Sequence, residues 1–132
     1  MISIFILGDL PFVKATVAYR SKKLTFNHVL LDTGSAGTVF HAEKLIEMGV
    51  YPELDDMVIL IRGVGGVECV YLKRMDSVSI GDHSIQDFEI EISAMNYGFD
   101  FEVECIIGFD AMQQLGIVID IDRLEVYKKK SP

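Results

Sequence analysis

The chain has 132 residues, half of them apolar and 24% of them charged, which predicts one folded domain over residues 1–132 rather than a disordered protein. The formal net charge of −8, with 12 Lys and Arg against 20 Asp and Glu, argues against a nucleic-acid partner, because phosphates require clustered basic side chains. No apolar run approaches the roughly 18 residues that span a bilayer, so no membrane partner is expected.

The N-terminal stretch Met1–Leu7 is apolar but too short for a signal peptide, and no basic residue precedes it. We interpret it as a first β-strand and expect a cytoplasmic location. Cys69 and Cys105 lack a Cys-x-x-Cys spacing. We therefore expect both to be free thiols.

Short segments rich in Val, Ile and Phe recur between turn residues, which predicts an all-β fold. Phe12–Tyr19 and Leu24–Leu31 flank a turn at residues 21–23 and predict one hairpin. Met57–Ile61 and Val67–Leu72 flank a glycine-rich turn and predict a second hairpin. Five further strands are expected, at Val78–Ile80, Ile85–Ile92, Val103–Ile107, Ile117–Ile121 and Leu124–Tyr127.

Two short helices interrupt this pattern. His41–Met48 has apolar residues near helical spacing, and Gly49 follows as a stop. Asp110–Leu115 predicts a second helix, with Asp110 as its N-cap and Gly116 as its end. The expected architecture is a closed or folded-over β domain with two small helices.

The segment with most chemical content is Val29–Ser35, where an apolar strand runs into Asp32 and then directly into a turn. A carboxylate in this place is fixed by a strand yet exposed at a loop, which suits catalysis. Gly34 allows a tight turn and frees amides for the carboxylate, while Thr33 and Ser35 bring hydroxyls that orient it. The alternative interpretation is an ordinary turn, since these residue types are common in turns.

The segment Leu30–Ser35, with its Asp-Thr-Gly-Ser, resembles the active-site strand and loop of retropepsin-like aspartic peptidases, particularly the single-domain bacterial kind. The resemblance covers nearly the whole chain. Family members next have a glycine-rich flap hairpin that covers the substrate, and a matching segment contains Gly63, Val64, Gly65 and Gly66. They then have a hydrophobic-hydrophobic-Gly motif before a short helix, and the matching residues are Ile106, Ile107 and Gly108.

This resemblance implies an acid-protease fold, a closed β-barrel with one lobe per chain, that cleaves polypeptides. In the family two aspartates share a proton across a bound water, which the ionised one activates while the protonated one polarises the scissile carbonyl. No metal and no cofactor are implied. The chain has one Asp-Thr-Gly, so the resemblance implies a homodimer in which a second Asp32 comes from another protomer. Thr33 would then hydrogen-bond across the interface.

Two departures from the retroviral members affect the expected dimer. Phe109 stands where those members have Arg, and Ala36-Gly37 stand where they have acidic residues. The dimer is therefore expected to be held differently. Ser35 suggests a further hypothesis, because a hydroxyl that donates to an ionised carboxylate favours the charged form. The activity optimum is then expected to be more acidic than in Asp-Thr-Gly-Ala relatives.

Two other classes of function remain open. The same fold serves as a catalytically weak or inactive dimerisation or peptide-binding module, since a fold does not establish activity. A small β-barrel that binds a small ligand, with an accidental motif, is the third alternative. His28, His41 and His83 are scattered without ligand partners at metal-binding spacing, so no metal site is expected.

Overall fold

The computed structural model describes residues 1–63, 66–95 and 102–128, in which eleven strands and two helices are found. In chain order they are β1 (Ile2–Ser3), β2 (Phe5–Leu7), β3 (Leu10–Tyr19), β4 (Lys22–Leu31), β5 (Val39–His41), α1 (Ala42–Ile46), β6 (Val58–Gly63), β7 (Gly66–Ile80), β8 (His83–Ser93), β9 (Cys105–Ile107), α2 (Phe109–Leu115), β10 (Ile117–Asp120) and β11 (Glu125–Lys128).

The predicted all-β class is confirmed, and eight of the strands form a sheet in the order β2-β3-β4-β9-β5-β8-β7-β6. An additional pairing of β3 with β7, through Thr16–Ala18 and Ser77–Ser79, closes six of these strands into a barrel-like ring. Strand β9 is parallel to β4 and antiparallel to β5, so it lies between the two strands that flank the Asp32 loop.

The first hairpin is confirmed, but its turn lies earlier than predicted. β3 and β4 are joined by the two residues Arg20 and Ser21, with φ values of 46° and 68°. Left-handed backbone at both central residues is typical of the tight hairpin turn that matches strand twist. Lys22 and Lys23, assigned to the turn from sequence, therefore belong to β4.

Two strand boundaries were wrong. The N-terminal stretch is two short strands in different sheets, since β1 pairs with β11 and β2 pairs with β3. The strands predicted at Val67–Leu72 and Val78–Ile80 are one continuous strand, β7. Its polar middle is tolerated because Lys73, although buried, forms ion pairs with Asp56 at 2.6 Å and Glu53 at 2.7 Å.

Side chains from β4, β5 and β9 alternate between two apolar clusters. Val29, Leu31 and Ile107 belong to the larger cluster, which also contains most buried side chains of β7 and β8. Leu30, Val39 and Ile106 belong to a smaller cluster, with Phe12, Met95 and Val103. Alternate residues of a strand point to opposite faces, so Asp32 continues the face of Leu30, on the side of the smaller cluster.

Both helices begin close to the predicted residues. His41 is the N-cap of α1, where its Nδ1 accepts from the Glu43 amide at 3.2 Å, and Gly49 follows with a φ of 80°. The N-cap of α2 is Gly108 rather than the predicted Asp110, because the helix already begins at Phe109. Gly116, with a φ of 64°, ends α2 as predicted.

The remaining strands form a separate three-stranded sheet in the order β1-β11-β10. Its Val126 side chain is fully buried and joins the larger cluster. In the described ranges, neither helix has the length and apolar character needed to cross a bilayer.

Candidate active site

Asp32 is the first residue after β4 and is half-buried. Its backbone amide donates to the carbonyl of Ile107 at 3.0 Å, which extends the parallel pairing of Leu31 with Ile107 by one residue. The backbone of Asp32 is therefore fixed by the parallel neighbouring strand β9. Its side chain stands where the chain leaves the sheet.

The turn after Asp32 folds back on its carboxylate. The Gly34 amide donates to Asp32 Oδ1 at 2.9 Å, and the Ser35 amide donates to the Asp32 carbonyl at 3.1 Å. A Cβ at residue 34 would lie 3.2 Å from Oδ1, so glycine lets the amide approach this closely. Along the ranges that the structure describes, the Asp32 carboxylate has this one hydrogen bond and no ion pair.

Ser35 does not make the bond expected from the sequence. Its Oγ donates to the carbonyl of Gly37 at 2.7 Å instead of to the carboxylate of Asp32. The hydroxyl therefore closes the second half of the loop. Thr33 and Ala36 are exposed at the loop surface.

The segment Ile106-Ile107-Gly108 lies directly beneath this loop. Ile106 pairs with Leu30 and Ile107 with Leu31, so both isoleucines lie in the strand next to Asp32. Gly108 is where the two segments come closest, because a Cβ there would overlap the carbonyl of Gly37. The Asp32 loop and the hydrophobic-hydrophobic-Gly segment are thus brought together.

Beyond Gly108, the first turn of α2 binds the loop through its backbone. The Phe109 amide donates to the Ser35 carbonyl at 2.7 Å, and the Asp110 amide donates to the Ala36 carbonyl at 3.3 Å. The Phe109 side chain is 53% exposed beside the loop.

The predicted glycine-rich hairpin is β6 and β7, with Gly63 paired to Gly66 in antiparallel register. Val64 and Gly65 lie outside the described residues. Val58 and Leu60 are exposed on one face of β6, and Val67, on the same face of β7, is exposed as well. The hairpin therefore presents apolar side chains to its surroundings.

Two residues near the loop, Thr38 and Glu91, were not identified from the sequence. Thr38 is fully buried and bonds to both Gly108 and Asp110. The Glu91 carboxyl lies against Gly37, where a Cβ would be 2.7 Å from its Oε2. Burial raises the pKa of Glu91, and the nearby charges of Asp110 and Glu68 raise it further. No local sequence pattern identifies Thr38 or Glu91, because their contacts form only when β8 and α2 pack on the loop.

Glu104 is a further acidic residue with a specific role that the sequence did not indicate. β4 has an irregularity in its pairing with β3, and Glu104 Oε1 accepts the Asn27 and His28 amides there, each at 2.9 Å. Lys44 lies 3.6 Å from Glu104 Oε2. Glu104 is nearly buried and belongs to the framework of β4 rather than to the Asp32 loop.

Across residues 1–63, 66–95 and 102–128, the His, Cys, Asp and Glu side chains form no group of three that could hold a metal ion. Cys69 is exposed, Cys105 is buried, and both are free thiols as predicted. Burial raises the pKa of the Cys105 thiol well above its usual range.

Comparison with known proteins agrees with this geometry. The family model described as aspartyl protease matches residues 14–111, a span that contains the Asp32 loop, the β6–β7 hairpin and the segment Ile106–Gly108. No curated protein matches the chain in a sequence search. The match extends over well more than half of the 132 residues and confirms the resemblance seen in the sequence. The chain belongs to the aspartyl protease family.

Proposed function

We propose that this chain is an aspartic endopeptidase that works as a homodimer, with one Asp32 from each subunit in a shared active site. The observation that carries the proposal is the state of the Asp32 carboxylate. It is held at the end of β4 by the backbone amide of Gly34, and in the described segments no side chain bonds to it. One of its oxygens thus remains available for a water molecule and a second carboxylate.

The sequence supports a second subunit as the source of that carboxylate. Asp-Thr-Gly occurs once in the chain, at Asp32–Gly34. Asp110, an acid whose backbone contacts the loop, is bonded to Thr38 and Ala111 and is thereby engaged inside the subunit. A two-fold axis beside the exposed Thr33 would bring two copies of the loop together.

In the proposed reaction the two carboxylates share one proton around a water molecule. The ionised carboxylate removes a proton from the water, which attacks the peptide carbonyl, and the protonated carboxylate donates its hydrogen to the carbonyl oxygen. The bond from the Gly34 amide orients the carboxylate that accepts it. Thr33 and Ser35 are proposed to hold the loop.

The β6–β7 hairpin is the proposed flap over the substrate. It is joined at Gly63 and Gly66 and has exposed Val58, Leu60 and Val67. These side chains support a preference for unfolded polypeptides with apolar residues. The proposed location is the cytoplasm, supported by the exposed free thiol of Cys69, since such thiols persist in reducing compartments.

The test uses the purified chain, an unfolded polypeptide substrate and a pH series from acidic to neutral. Wild type is compared with Asp32→Asn and with Asp82→Asn, which changes an exposed acid in the β7–β8 turn. We expect cleavage by the wild type and Asp82→Asn, and none by Asp32→Asn. A stable dimer that cleaves nothing at any pH would instead indicate a peptide-binding module.

Mixing experiments test the shared site. If each active site needs two intact Asp32 residues, wild type equilibrated with excess Asp32→Asn loses activity as the square of the wild-type fraction. A linear loss would mean that each subunit has a complete site of its own, and would overturn the dimer mechanism.

A further inference from the structure

The Asp32 loop, residues 32–38, is attached to α2 by one part-buried side-chain pair. Thr38 is fully buried, and its Oγ1 donates to Asp110 Oδ1 at 2.8 Å while accepting from the Gly108 amide at 3.1 Å. A hydroxyl has one hydrogen to donate, and these distances are those of good hydrogen bonds. The rotation of the Thr38 hydroxyl is therefore fixed by its two partners.

Asp110 holds the loop at two places. Its Oδ1 accepts from Thr38 and also from the Ala111 amide at 2.7 Å, while its own amide donates to the Ala36 carbonyl at 3.3 Å. The Asp110 side chain thus fixes the end of the loop at Thr38, and the Asp110 backbone amide fixes the middle of the loop at Ala36. Among the described residues no hydrogen bond joins Asp110 to Asp32, so an influence carried by contacts reaches Asp32 through the loop.

The rest of the loop has few other restraints of this kind. Asp32 is fixed at the start by Ile107, and the turn is closed by backbone bonds and by the short Ser35 to Gly37 bond. Among the described residues, Thr38–Asp110 is the one hydrogen bond that joins a loop side chain to a side chain of another element. Loss of this pair would free the loop end while leaving β4 and β9 paired.

We infer that Asp110 is a positioning residue for Asp32, which sets the path of residues 32–38 through Thr38 and Ala36. The inference rests on the proposed function, in which two Asp32 carboxylates must meet around one water. A displacement of the loop by about 1 Å changes that meeting, and a misplacement of this size costs a reaction roughly a hundredfold in rate.

Two substitutions of Asp110, to asparagine and to alanine, separate the effect of its hydrogen bonds from the effect of its charge. Asp110→Asn keeps an Oδ1 that accepts from Thr38 and Ala111, whereas Asp110→Ala has no acceptor. Thr38→Ser keeps both bonds of the hydroxyl, and Thr38→Val keeps the shape of the side chain without them. We expect Asp110→Asn and Thr38→Ser to retain kcat within about threefold, since the hydrogen bonds survive.

For Asp110→Ala and Thr38→Val we expect kcat to fall by roughly 10–100-fold, with KM within about threefold of wild type. The double variant should lose no more than the larger single loss, because both substitutions break the same bond. Ile85→Val, a substitution in the buried core of β8, controls for general destabilisation. An equal fall in kcat in Ile85→Val at matched Tm, or additive losses in the double variant, would overturn the inference.

Amide hydrogen exchange gives a readout that does not depend on cleavage. The Ser35 amide donates to Asp32 and the Phe109 amide to Ser35, so both report on the loop. In Asp110→Ala we expect both to exchange at least about tenfold faster, and in Asp110→Asn to stay protected. If the wild type cleaves nothing, the proposed function fails, while unchanged protection in Asp110→Ala rejects the role of Asp110. Cleavage by wild type together with full kcat in Asp110→Ala rejects only the inference.

Discussion

The carboxyl group of Glu91 lies directly on Gly37, in the space that a side chain at residue 37 would otherwise fill. It is half-buried and near Asp110 and Glu68, and both burial and these charges raise its pKa. Glu91 therefore brings an acidic group, with a stronger hold on its proton than an exposed glutamate has, to the back of the Asp32 loop.

Glu91→Gln should make the folded protein more stable at neutral pH. Because the pKa of Glu91 is higher in the folded than in the unfolded chain, wild-type stability falls as pH rises from the unfolded pKa through the folded one. Glutamine removes this loss. Urea unfolding should give a larger free energy at pH 7 for the variant and no gain near pH 4. Glu89→Gln, which removes an exposed charge from the same strand, should show no such gain.

Ser35→Ala should lower activity without moving its pH optimum. The Ser35 hydroxyl donates to the Gly37 carbonyl, so its loss loosens the loop but removes no donor from Asp32. The loss of one hydrogen bond of about 1 kcal/mol corresponds to roughly a fivefold fall in kcat. The measurement is a pH–rate profile beside Ser79→Ala, which loses a hydroxyl contact with Ser84 far from the loop. A shift of the acidic limb of the pH–rate profile in Ser35→Ala would instead indicate that Ser35 acts on the Asp32 carboxylate.

Phe109→Ser should weaken the proposed dimer without unfolding the subunit. Phe109 is exposed beside the loop, and a two-fold interface would bury it once from each copy. At about 1 kcal/mol per copy, the dissociation constant rises roughly thirtyfold. Light scattering over a dilution series measures this, with Ile121→Ser, another exposed apolar residue, as the control. Equal dimer masses for both variants at every concentration would remove Phe109 from the interface.

Glu104→Ala should destabilise the fold by about 2–3 kcal/mol, because it leaves the Asn27 and His28 amides without their acceptor. Glu104→Gln should lose much less, since its side-chain oxygen still accepts both amides. Urea midpoints with an unchanged m-value are the measurement. If glutamine proves as harmful as alanine, the ion pair with Lys44 rather than the amide bonds stabilises this part of β4.

The parts of the site that follow local rules were predictable. An apolar strand ending at Asp32, a turn at Gly34 and a second apolar strand ending at Gly108 are all visible as alternation and turn chemistry over a few residues. The turn at Arg20-Ser21 was misplaced because neither residue is a usual choice for left-handed backbone.

The remaining differences come from contacts between residues far apart in the chain. Asp110 was predicted to be the N-cap of α2, but the helix begins one residue earlier, at Phe109. The Asp110 carboxylate still accepts from the Ala111 amide of the helix, and its second partner, the buried Thr38, comes from a distant part of the chain. Glu104 was predicted to lie within a strand at Val103–Ile107, but that strand begins at Cys105. Its role depends on two amides that the irregular pairing of β4 leaves open. Neither the Thr38–Asp110 contact nor the binding of two amides by Glu104 has a local sequence pattern.

The parallel pairing of β4 with β9 also bears on the order of events during synthesis. Ile107 leaves the ribosome long after Asp32, and until it arrives the Asp32 amide lacks its acceptor and the loop lacks the support of Gly108. A nascent chain that ends at the β6–β7 hairpin thus contains Asp32 but not yet β9 or Gly108. Under the proposed function, the Asp32 loop would reach its active geometry only after most of the chain has been synthesised.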